Sequence, residues 1–73
     1  MIQKQVGQRI REIRLSKHLS QEECAFTVEL DRTYWSSVEC GKRNISIINL
    51  HKICISFGLT LKEFFDSKIF KEY

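Results

Sequence analysis

Arg32, Thr33, Ser36 and Ser37 fall on one face of any helix that spans them. Short hydroxyls let a backbone approach a partner closely, and a guanidinium presents a rigid fork that matches the acceptors of guanine. A helix packed on all sides has no use for such a face. A helix laid in the major groove of duplex DNA does. Lys42, Arg43 and Asn44 follow directly, and cations in a loop beside such a helix reach phosphate.

Other chemistries find little support. His18, His51, Cys24, Cys40 and Cys54 are scattered and lack the close pairing of zinc ligands. No acid–base pair, nucleophile dyad or glycine-rich phosphate loop is present, so neither enzyme activity nor a cofactor or small-molecule ligand is expected. No apolar run approaches the roughly 20 residues of a membrane span. The N-terminal stretch lacks the apolar core of a signal peptide. Three widely spaced cysteines fit a reducing cytoplasm. Cys24 and Cys54 read as core residues, and Cys40 is the one candidate for a redox-sensitive thiol.

The 73 residues suffice for one domain, taken as residues 1–73, whose stability a partner subunit would raise. Apolar residues form 42% of the chain and charged residues 29%, which excludes the composition of disorder. The net charge of +3 is unevenly placed, with all five arginines (Arg9, Arg11, Arg14, Arg32 and Arg43) in residues 1–43. Taken alone, Arg9 and Arg11 read as a solvated helix face.

Helical spacing recurs throughout, and an all-α fold of five helices is predicted. Val6, Ile10 and Ile13 give the first helix, from about Ile2 to Lys17, an inward stripe. His18 stands where a helix ends in a left-handed residue. Ser20 and Glu23 form a capping box for a second helix, in which Cys24, Ala25 and Val28 face inward. That helix ends near Glu29, since Asp31 is a good N-cap for a third, from Arg32 to about Cys40. Gly41 stops the third helix. Ser46 caps a fourth, Ile47 to Phe57, ended by Gly58, and Thr60 with Glu63 caps a short fifth through Phe65. Residues 66–73 either continue as helix or pack back as a tail. The short connection between the second and third helices forces them to cross steeply, a helix-turn-helix, with Leu30 plugging the turn and Ala25 permitting close approach.

The stretch LSQEECAFTVELDRTYWSSVECG resembles the lambda-repressor-like helix-turn-helix family. The resemblance runs from Gly7 to Phe65 and includes Ile10, Arg11 and Arg14, Leu19-Ser20-Gln21, Ala25, Leu30, Val38-Glu39 and Gly41. The segment DRTYWSSVECGKRNIS is most similar to the controller proteins of restriction–modification systems, dimeric autoregulators that bind operators. The resemblance implies that Gln21 grips phosphate and braces the recognition helix. It also implies that Arg32, Thr33 and Ser36 read bases, that Tyr34, Arg43 and Asn44 contact the backbone or the groove edge, and that Arg14 and Glu39 form a buried ion pair. Tyr34 could equally pack on the surface, and Ser37 could face protein. Three positions depart from the family: Glu29 and His18 replace usual glycines, and Trp35 replaces a smaller aliphatic. At Glu29 the turn is expected to adopt a backbone that a non-glycine residue accepts.

The fourth helix holds more apolar residues than one inward face needs. Ile47, Ile48 and Ile55, with Phe65, Ile69 and Phe70, suggest a twofold dimer interface, against the alternative of a wider core covered by the tail. The expected partners are a pseudo-palindromic DNA operator, a second copy of the chain and, through promoter occupancy, RNA polymerase. A phage-type repressor, usually a longer chain, and the antitoxin of a toxin–antitoxin pair are the competing readings.

Overall fold

The computed structural model describes residues 1–71 and has five α-helices: α1 (Ile2–Ser16), α2 (Gln21–Thr27), α3 (Arg32–Glu39), α4 (Ile47–Phe57) and α5 (Leu61–Phe65). A single 3-10 turn, Lys68–Phe70, follows. Among the described residues no helix is long and apolar enough to cross a membrane.

Local chemistry accounts for the helix starts. Ser20 Oγ accepts from the Glu23 amide at 3.0 Å while the Glu23 carboxylate accepts from the Ser20 amide at 2.8 Å. Thr60 and Glu63 repeat the arrangement at α5, and Ser46 Oγ caps α4 through the Asn49 amide. Each box satisfies two amides that a helix start leaves without partners. Asp31 is the exception. It occupies the N-cap of α3 in extended backbone, but its side chain makes no cap hydrogen bond.

All four longer helices end alike. A residue at the end of the helix turns left-handed: the one after the cap in α1, α2 and α3, the cap itself in α4. Its amide bonds the carbonyl three residues back, and the next amide bonds the carbonyl five back. At α1 these are His18 to Leu15 and Leu19 to Arg14; at α2, Glu29 to Phe26 and Leu30 to Ala25. At α3 they are Gly41 to Val38 and Lys42 to Ser37, and at α4, Gly58 to Ile55 and Leu59 to Cys54. Leu19, Leu30 and Leu59, each just past its turn, pack against the core. The left-handed position is glycine in two cases and not in the others, where His18 has φ 58° and Glu29 φ 59°. The expectation for Glu29 is therefore corrected: the turn keeps the glycine-type backbone, and glutamate is held in it by the two amide bonds and the anchored Leu30.

The core gathers Val6, Ile10 and Ile13 from α1, Cys24, Ala25 and Val28 from around α2, Trp35 and Val38 from α3, Leu50, Ile53, Cys54 and Phe57 from α4, and Phe64 from α5. Leu59 and Leu61 lie at its margin. Burial pushes the thiols of Cys24 and Cys54 up from their ordinary value, which keeps them protonated. Helix α1 packs chiefly on α3. Gly7 makes that approach possible, because a Cβ there would strike the main-chain carbonyl oxygens of Val38 and Glu39.

Residues 66–71 pack back. Gln5 donates its amide to the Ile69 carbonyl at 2.9 Å, and the Phe70 ring lies 4.9 Å from Phe65 and 6.3 Å from Phe64. Arg9 corrects a second expectation. Its guanidinium donates to the carbonyls of Phe64 (2.6 Å) and Glu63 (3.0 Å), pairs with Glu12 at 2.8 Å and lies over the Phe64 ring. It ties α1 to the carbonyl end of α5, where a cation meets the negative end of the helix.

Candidate nucleic-acid interface

Helix α3 buries Trp35, Val38 and Glu39 and turns Arg32 and Thr33 fully outward, with Ser36 half-exposed between. Together with Gln21 at the start of α2, and Ser37, Cys40 and Lys42, these residues line a shallow concavity of about 360 Å³. The lining holds two cations, Arg32 and Lys42, and no acidic side chain. A polyanion meets donors there and no like charge.

Six of the nine residues expected to meet DNA share this concavity: Gln21, Arg32, Thr33, Ser36, Ser37 and Lys42. Tyr34, Arg43 and Asn44 stand apart. Arg43 stacks over the Tyr34 ring, 4.9 Å from its centroid, and its Nε reaches Ser37 Oγ at 3.4 Å. Tyr34 is half-buried, and its hydroxyl accepts from Asn49 Nδ2 at 3.1 Å, so the ring both packs and carries the arginine. The Ser37 hydroxyl donates to the Tyr34 carbonyl at 2.9 Å. It faces its own helix. Asn44 is exposed beside Arg43 at the mouth of a neighbouring apolar groove.

Behind the concavity the Glu39 carboxylate takes four donors. Arg14 gives Nε to Oε2 at 2.6 Å and Nη2 to Oε1 at 3.0 Å. Trp35 gives its indole N–H to Oε2 at 2.6 Å, and Gln21 gives Nε2 to Oε1 at 3.1 Å. Arg14 spends a further N–H on the Leu19 carbonyl at 2.8 Å. Burial pushes Glu39 up, but the hydrogen bonds from Arg14, Trp35 and Gln21 outweigh it and hold the carboxyl below its ordinary range. The hydrogen bond to Glu39 raises Arg14 in turn, against the opposing effect of burial. The pair expected from the resemblance is in place, and it joins α1, α2 and α3. The Trp35 N–H was missed, although W-x-x-x-E is the spacing of neighbours on a helix.

The apolar residues assigned to a dimer interface divide. Ile47, Ile48 and Ile55 of α4 are 67%, 70% and 62% exposed, and Phe65 is 37% exposed. Ile47 and Phe65 line one groove with Ile2, Val6 and Leu50. Ile48 and Ile55 lie two turns apart on one outward stripe. Ile69 lies instead beside Gln8, Arg11, Glu12 and Leu15 of α1, and Phe70 is half-buried on Phe64 and Phe65. The tail thus covers part of the core, while the α4 stripe stays open.

Five short helices, with the second and third joined by a tight left-handed turn and the third presenting a basic face, define a helix-turn-helix protein. The helix-turn-helix family model matches residues 10–64, and the chain belongs to that family. It is similar to "Control protein C.MunI" of a Mycoplasma species, at 51% identity over 90% of this chain and 89% of that one. The restriction–modification controller protein C.AhdI of Aeromonas hydrophila superimposes with a TM-score of 0.82 at 43% identity, over 86% of this chain and 96% of that one. A second controller, C.Esp1396I, solved as a tetramer on its natural 35-base-pair operator, superimposes at 0.86 with 35% identity over 99% and 93% of the two chains. The chain is a helix-turn-helix regulator of the restriction–modification controller type.

Proposed function

We propose that this chain is a cytoplasmic, homodimeric regulator that places α3 of each subunit in the major groove of a pseudo-palindromic operator. By occupying that operator it governs transcription of a restriction–modification system, its own gene included. One observation carries the reading: an acid-free, donor-lined face on α3 lies on the same small domain as an open apolar stripe on α4. A module this small reads few base pairs alone, and twofold pairing doubles the site. Support also comes from C.Esp1396I, which assembles on a 35-base-pair operator.

Arg32, Thr33 and Ser36 read base edges, with Arg32 suited to guanine. Gln21 and Lys42 hold phosphate, and Arg43, carried on Tyr34, reaches the backbone or groove edge beside them. The operator's position decides whether the bound protein blocks RNA polymerase or recruits it.

The test selects the preferred duplex from a random pool, then compares variants on that duplex and on a scrambled one. The selected site should contain two inverted half-sites about 10 base pairs apart or a multiple of that. Arg32→Ala should cost about 1–3 kcal/mol on the selected duplex and little on the scrambled one. Lys42→Ala should weaken both alike. Equal losses for Arg32→Ala on the two duplexes would remove its reading role.

A further inference from the structure

We propose that Trp35 is a positioning residue for DNA binding, acting through its indole N–H: it fixes the buried Glu39 carboxylate, which holds the Gln21 amide at the edge of the DNA-facing concavity. The inference rests on the reading of that concavity as the DNA face.

Trp35 is 1% exposed and never meets the solvent face of α3. Its ring packs edge-on against Phe57 of α4, with centroids 6.3 Å apart at 90°. The indole is therefore set by the core and not by DNA. Its N–H reaches Glu39 Oε2 at 2.6 Å, one helical turn further along α3.

An ionised carboxylate has about four lone-pair sites. At Glu39 all are taken, two donors on each oxygen. Bonds to charged groups in a dry site are the strong ones. The Gln21 bond, at 3.1 Å, is the longest of the four and joins a neutral donor. Any change in carboxylate tilt loosens it first. Taking away the Trp35 N–H frees one lone pair of Oε2, and the carboxylate re-tilts about its Arg14 partner.

Gln21 occupies the first position of α2 and lines the concavity with Arg32, Thr33, Ser36 and Lys42. With one N–H on Glu39, its second N–H and its carbonyl remain for a ligand on the open side. Against a phosphate the second N–H is the group that serves. Trp35 thus sets the direction in which Gln21 donates without touching DNA itself. A tryptophan that merely filled the core would change stability and leave the behaviour of Gln21 alone.

Two variants separate these roles. Trp35→Phe keeps an aromatic ring and drops the N–H. The 73-residue chain is also within reach of chemical synthesis, so Trp35 can be replaced by benzothienylalanine, where sulfur stands for N–H in a ring of the same shape. Each is made with Gln21 and with Gln21→Ala, and affinity for a mixed-sequence 35-base-pair duplex is read by fluorescence anisotropy at low salt. A phosphate contact needs no particular sequence. Gln21→Ala alone should weaken binding about fivefold, and loss of the indole N–H about threefold with Gln21 present but less than about 1.5-fold in the Gln21→Ala background. An equal loss in both backgrounds, or none in either, overturns the relay alone. Parental binding by Gln21→Ala overturns the DNA role of Gln21, and the relay with it.

Discussion

Replacing Glu29 by glycine should stabilise the protein without changing how it binds DNA. Glu29 has φ 59°, and the peptide bonds on either side of it close the turn between α2 and α3. A left-handed residue with a Cβ costs about 1–2 kcal/mol, while glycine adds about 0.5–1 kcal/mol of unfolded-chain entropy to be lost. The difference leaves roughly 0.5–1 kcal/mol in favour of Glu29→Gly, or an increase in Tm of about 2–8 °C for a domain of this size. Gly58 supplies the reverse experiment. It has φ 75° and nothing within 4 Å of an added Cβ, so Gly58→Ala isolates backbone strain from crowding. That change should lower stability by about 1 kcal/mol. Urea unfolding followed by the fluorescence of Trp35, the only tryptophan, measures both at one fixed protein concentration. His18→Gly, at the end of α1, should move in the same direction as Glu29→Gly and add to it. A Glu29→Gly protein that is less stable than its parent, while Gly58→Ala loses stability as expected, would refute the claim that glutamate is strained in the turn.

Glu39 makes stability depend on acid. Its carboxyl is depressed in the fold, so its contribution is complete above the unfolded value near 4.3 and is lost as pH falls through the lower folded value. Glu39→Gln leaves Arg14 without its counter-charge and should cost about 3–5 kcal/mol at pH 7, with a flatter loss below pH 4; urea midpoints from pH 7 to 3 report both. Arg9→Gln removes two carbonyl partners of α5 and should cost about 1.5 kcal/mol, with hydrogen exchange quickening in α5 before the core of α4. Ile48→Glu places a charge on the open stripe and should yield a monomer by sedimentation at an unchanged helical content. A dimer that persists through that change moves the interface elsewhere.

Features built from neighbours in the chain were legible. The Ser20–Glu23 and Thr60–Glu63 boxes and the apolar stripes of α1 and α4 are patterns within four residues or a fixed period, and local geometry alone realises them. The left-handed end at His18 was legible from its place after the first helix, whereas the one at Glu29 was harder, because glutamate does not favour the backbone it adopts. A signal lay one residue later, in Leu19 and Leu30, whose packing against the core holds each turn closed. Asp31 was read as a capping residue from its type, yet type cannot say where the carboxylate points. Arg9 was unreadable alone because its partners, Glu63 and Phe64, lie more than fifty residues away. Its position held a hint: three past Val6 and four before Ile13, it borders the buried stripe. In the candidate interface, helical spacing was enough to place Arg32, Thr33, Ser36 and Ser37 together, but the stacking of Arg43 on Tyr34 and the inward turn of the Ser37 hydroxyl depend on how a loop folds over a helix.

The angle of α3 is set by constraints at both of its ends. At its start, the Glu29 turn and the half-buried Leu30, packed against the core, fix where the helix leaves α2. At its finish, Glu39 is tied to Arg14 and Gln21, and Gly7 lets α1 approach the Val38 and Glu39 carbonyls closely. Gly41, itself left-handed, closes on Lys4 of α1. Between these anchors Arg32 and Thr33 project outward and are exposed, whereas Trp35 and Val38 point into the core. Exposed residues that support no packing can change with little effect on stability. Under the proposed function, the residues assigned to reading sequence are therefore separate from the residues that hold the helix. Such an arrangement lets one scaffold serve different operators, because Arg32, Thr33 and Ser36 can vary while Arg14, Trp35 and Glu39 keep the helix in place.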